Sequence, residues 1–179
     1  MHPAIQSIGL VAVAFALAAG VMDLRWKRIP NWWTLPGLLV GLSLNGIMSG
    51  GQGAKSSLLG ALLGLALLLP FVFVRSLGAG DWKLVGALGA FLGPSRLWQV
   101  LAGTIFVAGL MALVLVTWNR RLLETLRNIG HMLAAFLTLR LPGPAVSLDN
   151  PKSQRVPFGA AVALTMALYG AAGFRWGVF

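Results

Sequence analysis

"GAGDWKL", residues 78–84, is the stretch that decides how this chain folds. It follows the apolar run "SLLGALLGLALLLPFVFVRS" (57–76) and precedes a second one, "LVGALGAFLG" (84–93). Asp81 is one of only four acidic residues in the chain, and it stands where an apolar segment begins. An ionisable group at membrane depth costs about 2.5–3.5 kcal/mol on insertion scales. Asp81 is therefore the first candidate for a functional residue.

The composition places the chain in a membrane. Of its 179 residues, 58% are hydrophobic and 10% are charged. A soluble domain of this size could not cover that much apolar surface, whereas a bilayer core of about 30 Å holds runs of about 20 apolar residues as helices. We predict an all-α fold, a polytopic membrane helix bundle in which residues 1–179 form a single domain. The spans, about six in number, are expected at residues 4–22, 33–48, 57–74, 82–94, 97–118 and 158–174.

The basic residues predict the orientation of these spans. The net charge of +10 is carried by residues at the ends of apolar runs. This pattern fits the positive-inside rule and anionic lipid headgroups, and it disfavours nucleic-acid binding. If the cluster Arg25, Lys27 and Arg28 is cytoplasmic, 11 of the 14 Lys and Arg residues lie inside. Both termini are then expected outside the cytoplasm.

Residues 119–157 are expected to form a cytoplasmic amphipathic helix and a loop. In this segment apolar residues recur at helical spacing while the charged residues fall mainly on the other side, which is typical of a helix lying in the membrane interface. Pro and Gly punctuate the loop that follows.

Cysteine is absent, which excludes disulfides and thiolate zinc sites. The sequence predicts no metal site and no cofactor. The first apolar run lacks the basic n-region of a signal peptide, so we expect it to be retained as the first helix.

The predicted topology brings two aspartates to one membrane depth. Asp23 ends the first span and Asp81 begins the fourth, both on the cytoplasmic side. If these spans are neighbours, the two carboxylates meet in a medium of low dielectric constant, resist ionising together and share a proton. That state suits amide hydrolysis, because the ionised carboxylate takes a proton from water while the protonated one polarises the carbonyl group.

Gly78 and Gly80 have a mechanical interpretation. Without a Cβ the backbone bends sharply and admits another backbone, so an extended substrate segment could add alongside it. We therefore expect a side chain at Gly80 to lower activity more than stability.

Simpler roles stay open for each acidic residue. Asp81 alone could be a helix N-cap, and Asp23, beside three cations, a surface ion pair of little energetic worth. Glu124 and His131 fall on the polar face of the amphipathic helix, where a solvated role is expected. Asp149, in "LDNP", is typical of a turn.

Three motifs in one order resemble those of prepilin peptidases, a branch of the GxGD intramembrane aspartyl proteases. "DLRWKRIPNWW" (23–33) is similar to their D-x-R-x-x-x-I-P-N motif, and "GAGDWKLVGALGAFLG" (78–93) to their G-x-G-D-x-K-L segment. "RVPFGAAVAL" (155–164) resembles their late P-[FY]-G-x-A motif. The resemblance spans nearly the whole chain.

The resemblance implies an aspartic endopeptidase in the bacterial inner membrane with Asp23 and Asp81 as its catalytic dyad. Its substrate would be a type IV prepilin or pseudopilin, cleaved at the cytoplasmic face between a short basic leader and an apolar helix. The residues that would shape or flank the site are Gly78, Gly80, Lys83, Arg25, Asn31, Pro157 and Gly159.

Two departures from the family pattern refine this expectation. Larger prepilin peptidases carry a cytoplasmic insert with zinc-binding cysteines and also methylate the new N-terminus, whereas here Asp23 follows the first span directly and cysteine is absent. We therefore expect no methyltransferase activity and a short form resembling the peptidases of tight-adherence (Flp) pili. The late motif also reads "PFGAA" where many relatives have "PFGPA".

Two other classes of function stay open at this stage. A small transporter or channel could use Asp23 and Asp81 as proton or cation ligands. A non-catalytic secretion-system subunit is the other alternative. A protease needs the two carboxylates close together at one depth, and the other classes do not.

Overall fold

Four helices account for most of the chain. The computed structural model describes residues 3–73, 77–118 and 156–176, together with Arg127 and Gly130. No strand occurs in these ranges. The interfacial helix and loop expected at 119–157 lie almost entirely outside the described residues. The helices are α1 (Pro3–Trp26), α2 (Asn31–Phe73), α3 (Ala79–Trp118) and α4 (Phe158–Trp176).

Three of these helices are long and apolar enough to cross a membrane: Ser7–Trp26 within α1, the whole of α2 and the whole of α3. A shorter apolar stretch, Phe158–Ala172, lies in α4. Large apolar side chains face outward, as at Phe106, which is 75% exposed. The predicted all-α membrane fold is thereby confirmed, whereas the count of six spans is not established by these four helices.

α2 is not straight, because its backbone leaves the helical region at Gly50 (φ 59°, ψ −149°). A positive φ is readily adopted only by glycine. Asn45 Nδ2, before this break, and Ser57 Oγ, after it, both donate to the carbonyl oxygen of Ala90. In a straight helix 12 residues would separate Asn45 and Ser57 by about 18 Å, so the two halves of α2 lie side by side.

α3 has a similar break at Gly93 (φ 72°, ψ 174°), followed by Pro94. The break leaves the carbonyl groups at the end of the first half of α3 without helical donors, and Pro94 has no N–H to offer. Asn45 Nδ2 donates to the oxygens of Ala90 at 2.9 Å and Phe91 at 3.1 Å. These bonds from α2 cap the first half of α3.

Close backbone packing holds α2 against α3. A Cβ on Gly60 would lie 2.1 Å from the carbonyl oxygen of Gly89, and a Cβ on Gly89 would lie 2.2 Å from that of Gly60. Small residues allow such an approach between membrane helices. α2 packs most extensively on α3, while α1 packs most extensively on α4.

The centre of the bundle is the first half of α3. Leu84, Val85 and Leu88 on this segment are at most 1% exposed. Ala16 on α1 and Met166 on α4 are fully buried as well. This arrangement explains how a segment as short as 79–92 is accommodated in a membrane protein, since other helices and not lipid surround it.

We predict that Asn45→Ala lowers the free energy of unfolding by roughly 1–3 kcal/mol, because the carbonyl oxygen of Phe91 loses its side-chain donor and that of Ala90 keeps the one from Ser57 but loses the other. Ser43, two residues earlier on α2, is exposed. Ser43→Ala should therefore change stability by no more than about 0.5 kcal/mol. Unfolding in mixed detergent micelles measures both variants, and equal losses would contradict the capping role.

Candidate active site

Asp23 lies in the last turn of α1 and is only 8% exposed. The helix ends just after it. The N–H of Lys27 donates to the carbonyl oxygen of Asp23 at 2.8 Å, and Lys27 has a φ of 52°. This left-handed conformation is the usual way in which helices stop, although glycine commonly occupies the position. The reversal turns the following residues back toward the bundle.

The first turn of α4 binds the Asp23 carboxylate. The N–H of Ala160 donates to Asp23 Oδ2 at 3.4 Å, and the N–H of Gly159 donates to the same carboxylate. The first hydrogen bond within α4 runs from the N–H of Ala161 to the carbonyl oxygen of Pro157, so the N–H groups before Ala161 have no helical acceptor. Asp23 therefore caps a helix other than its own, and its carboxylate meets the positive end of the α4 dipole.

Asp81 lies in the first turn of its own helix, α3. It is partly buried. A Cβ on Gly78 would lie 3.0 Å from Asp81 Oδ2, so the carboxylate folds back over the residue that precedes the helix. Trp82, the next residue, anchors this end of α3 on α2 by donating from Nε1 to the carbonyl oxygen of Leu65 at 2.7 Å.

Ile29 joins the two carboxylate-bearing regions. A Cβ on Gly80 would lie 2.8 Å from the Ile29 carbonyl oxygen, and a Cβ on Gly159 would lie 2.9 Å from both Ile29 Cδ1 and Asp23 Cβ. The end of α1, the start of α3 and the start of α4 thus meet around one buried residue, which is 6% exposed. Asp23 and Asp81 lie at these converging ends.

This packing changes the expected role of Gly80. Sequence reasoning assigned it to substrate docking, but the side on which it lacks a Cβ is filled by the backbone of Ile29. At Gly78 the side chain of Asp81 is the neighbour that a Cβ would meet. Among the described residues, the two glycines therefore differ in that a Cβ at Gly80 would meet backbone atoms and a Cβ at Gly78 would meet only a side chain.

Three other predicted site residues lie at the starts of α2 and α3 and at the end of α1. Lys83 Nζ donates to Asn31 Oδ1 at 2.9 Å, which ties the start of α3 to the start of α2 at the aspartate end of the bundle. Arg25 is exposed, and its guanidinium lies 5.9 Å from the centre of the Trp26 ring. Glu124, His131 and Asp149, for which solvated or turn roles were expected, lie outside the described residues.

Sequence reasoning missed Ile29 as a component of the site. It also missed the amide donors at Gly159 and Ala160, because a contact between residues 137 apart in the chain leaves no local pattern. The resemblance did mark residues 157–161 as relevant without saying what they do.

The fold and the site define a helical membrane protein that gathers two carboxylates where three helix ends converge. Residues 10–117 match the type IV leader peptidase family, and the chain belongs to that family. The matched range contains both Asp23 and Asp81 and ends before α4 begins.

Several relatives are named prepilin leader peptidase/N-methyltransferase. The one from Neisseria gonorrhoeae is 37% identical over 113 residues, which cover 59% of this chain and 38% of the relative. The one from Burkholderia pseudomallei (strain 1026b) is 31% identical over 140 residues, 74% of this chain and 44% of the relative. The chain therefore spans less than half the length of these curated relatives. No solved structure matches it.

We predict that Gly80→Ala destabilises the protein more than Gly78→Ala, because its methyl group meets the rigid backbone of Ile29. Gly51 is the matched control, since it is helical and a Cβ there has no neighbour within 4 Å. Gly51→Ala should be neutral or stabilise by up to about 1 kcal/mol. Thermal unfolding of the three variants provides the comparison, and a Gly80→Ala variant as stable as Gly51→Ala would rule out the packing role.

Proposed function

We propose that the protein is a membrane aspartyl endopeptidase that removes the leader peptide of type IV prepilins or pseudopilins. The observation that carries the proposal is the placement of Asp23 and Asp81 at helix ends that converge on Ile29. Membership of the type IV leader peptidase family supports it, as do the names of the relatives.

In the proposed reaction the two aspartates divide the acid and base work. The ionised carboxylate removes a proton from a water molecule, whose oxygen attacks the carbonyl carbon of the scissile peptide. The protonated carboxyl group gives its proton to the carbonyl oxygen. When the tetrahedral intermediate collapses, the C–N bond breaks, the amine leaves with the proton taken from water, and the other carboxyl group recovers its own.

The surrounding residues hold this arrangement in place. The N–H groups of Gly159 and Ala160 orient the Asp23 carboxylate, and a side chain at residue 159 would displace it. Pro157 supplies the carbonyl group that starts α4. The bond between Lys83 and Asn31 fixes the position of the helix that carries Asp81. Arg25, exposed at the same end, is proposed to contact the substrate or lipid near the site.

The preferred substrates are proposed to be prepilins of the tight-adherence (Flp) type, because the chain resembles the short form of the enzyme. The expectation that it lacks methyltransferase activity stays a prediction. Methylation of the new N-terminus by the purified protein would show it to be wrong.

We further propose that the bundle crosses the membrane six times. The breaks at Gly50 and Gly93 divide α2 and α3 into two halves each, and the two halves of α2 lie side by side. As one straight span, the 43 residues of α2 would measure about 65 Å, roughly twice the hydrocarbon thickness. With the basic cluster at Arg25–Arg28 inside, both termini lie outside and the aspartates face the cytoplasm.

We predict that Asp23→Asn and Asp81→Asn each abolish leader cleavage in a protein that still inserts in the membrane. An amide can accept hydrogen bonds at either position but cannot exchange protons with water or substrate. The measurement is the gel shift of a prepilin expressed together with each variant. Glu124→Gln and Asp149→Asn are the controls and should retain most activity. Processing at the normal rate by either aspartate variant would falsify the dyad.

The absence of cysteine makes the topology directly testable with single cysteines. We predict that Lys55→Cys reacts with an impermeant maleimide in intact cells, whereas Arg28→Cys, Ala79→Cys and Arg127→Cys react only after permeabilisation. Labelling of Ala79→Cys from outside would show that α2 crosses the membrane once, and would place Asp81 on the wrong side.

A further inference from the structure

Two cavities share one lining residue, Phe91, on the side of the bundle where α1 faces α2. The first, of about 330 Å³, lies at the end of the bundle with the breaks at Gly50 and Gly93, away from the aspartates. It is lined largely by polar side chains, namely Asn45, Ser49, Gln52, Ser56, Ser95 and Arg96.

The polar cavity has the chemistry of an anion site. Its lining includes three serine hydroxyl groups, the amide of Gln52 and the guanidinium of Arg96, and among the residues that the structure describes it includes no carboxylate. Guanidinium and hydroxyl donors favour a group with several acceptor oxygens, as in a phosphate ester. The side-chain NH₂ of Asn45 already donates to backbone carbonyl groups, so the other side chains would supply the donors. Arg96 also interacts electrostatically with Tyr169 on α4, but a guanidinium carries five N–H donors and can bind an anion beside this neighbour.

The second cavity, of about 320 Å³, is apolar and lies between α1 and the first half of α2. Phe91 lines both. The lining passes along α1 from Ile8 to Phe15 and along α2 from Ser49 to Trp33. Sixteen residues of helix separate Ser49 from Trp33, a rise of about 24 Å. The apolar part, from Val40 to Trp33, rises about 10 Å and so fits within one leaflet of the hydrocarbon core, which is about 15 Å.

We propose that the two cavities together bind one phospholipid, with its headgroup phosphate in the polar cavity and one acyl chain in the apolar groove. A single occupant with an anionic head and an apolar tail matches the order of the two linings. A free anion would occupy the polar cavity alone and would not account for the apolar groove. An apolar helix of a partner would fill the groove alone and would not contact the donors around Arg96. The lipid fills the space between α1 and α2 where Phe15, two turns from Asp23, stacks on Trp33.

Native mass spectrometry of the purified full-length protein tests this site. The probes are phosphatidylglycerol and phosphatidylcholine with the same acyl chains, and inorganic phosphate as competitor. Arg96→Gln removes the cation and Ala14→Phe fills the groove. Lys55→Gln and Ala102→Phe are the matched controls, since both residues are exposed and neither lines the cavities. Gln52→Ala, a milder change in the same lining, replaces Arg96→Gln if that variant does not fold.

Each of the two test variants, Arg96→Gln and Ala14→Phe, is expected to lower retention of phosphatidylglycerol about tenfold. The first removes one charge-assisted contact with the phosphate, and the second removes a comparable part of the burial of the acyl chain. The controls should stay within about twofold of the wild type. Loss with Arg96→Gln alone, together with competition by inorganic phosphate, would indicate a free-anion site and overturn the proposal. Equal retention in all four variants would indicate annular lipid only. Cross-linking of two protein copies through a photoreactive residue at Val40 would assign the groove to a dimer interface instead.

Discussion

The packing of α2 on α3 depends on the hydrogen bonds that the carbonyl oxygen of Ala90 accepts. The break at Gly93 frees this oxygen from the helical ladder, and a buried carbonyl group without a donor costs about 1–3 kcal/mol. Asn45 and Ser57 supply the donors from both sides of the Gly50 break. One acceptor thereby holds both halves of α2 against α3. The glycine contact between residues 60 and 89 needs this alignment, because two backbones can approach so closely only in one register.

The helix ends that carry Asp23 and Asp81 lie at the opposite end of the bundle from Ala90. The start of α3 is anchored on α2 through Trp82 and Lys83, and Ile29 fills the space between α3, α1 and α4. Both aspartates are associated with helix N-termini, Asp81 with its own helix and Asp23 with α4. This arrangement places backbone dipoles beside both acidic groups, which offsets part of the cost of carrying them in a membrane protein.

Much of the fold could be predicted because apolar run length and the position of charges follow directly from the solvent. The bounds of α1 and α4 agree with the expected spans to within a few residues, and the loop expected at 49–56 contains the Gly50 break. The sequence could not reveal that most of that loop is helical, since "SGGQG" is typical of an irregular turn. Ile29 was overlooked for a related reason. The motif D-x-R-x-x-x-I-P-N includes this isoleucine without indicating its contacts, and its role comes from three helices that are distant in the chain. The catalytic roles proposed for Asp23 and Asp81 rest on motif resemblance and on the convergence of their helix ends at Ile29.

The position of Asp23 at the start of α4 has a consequence for the supply of water. The 19 residues of α4 rise about 28 Å, close to the thickness of a bilayer core of about 30 Å. In the six-span arrangement proposed above, the first turn of this helix would therefore lie at one face of the membrane. That turn binds Asp23. A carboxylate held there is almost completely covered by protein yet would lie close to the aqueous boundary, where the water that a hydrolytic reaction needs is at hand without a dedicated channel.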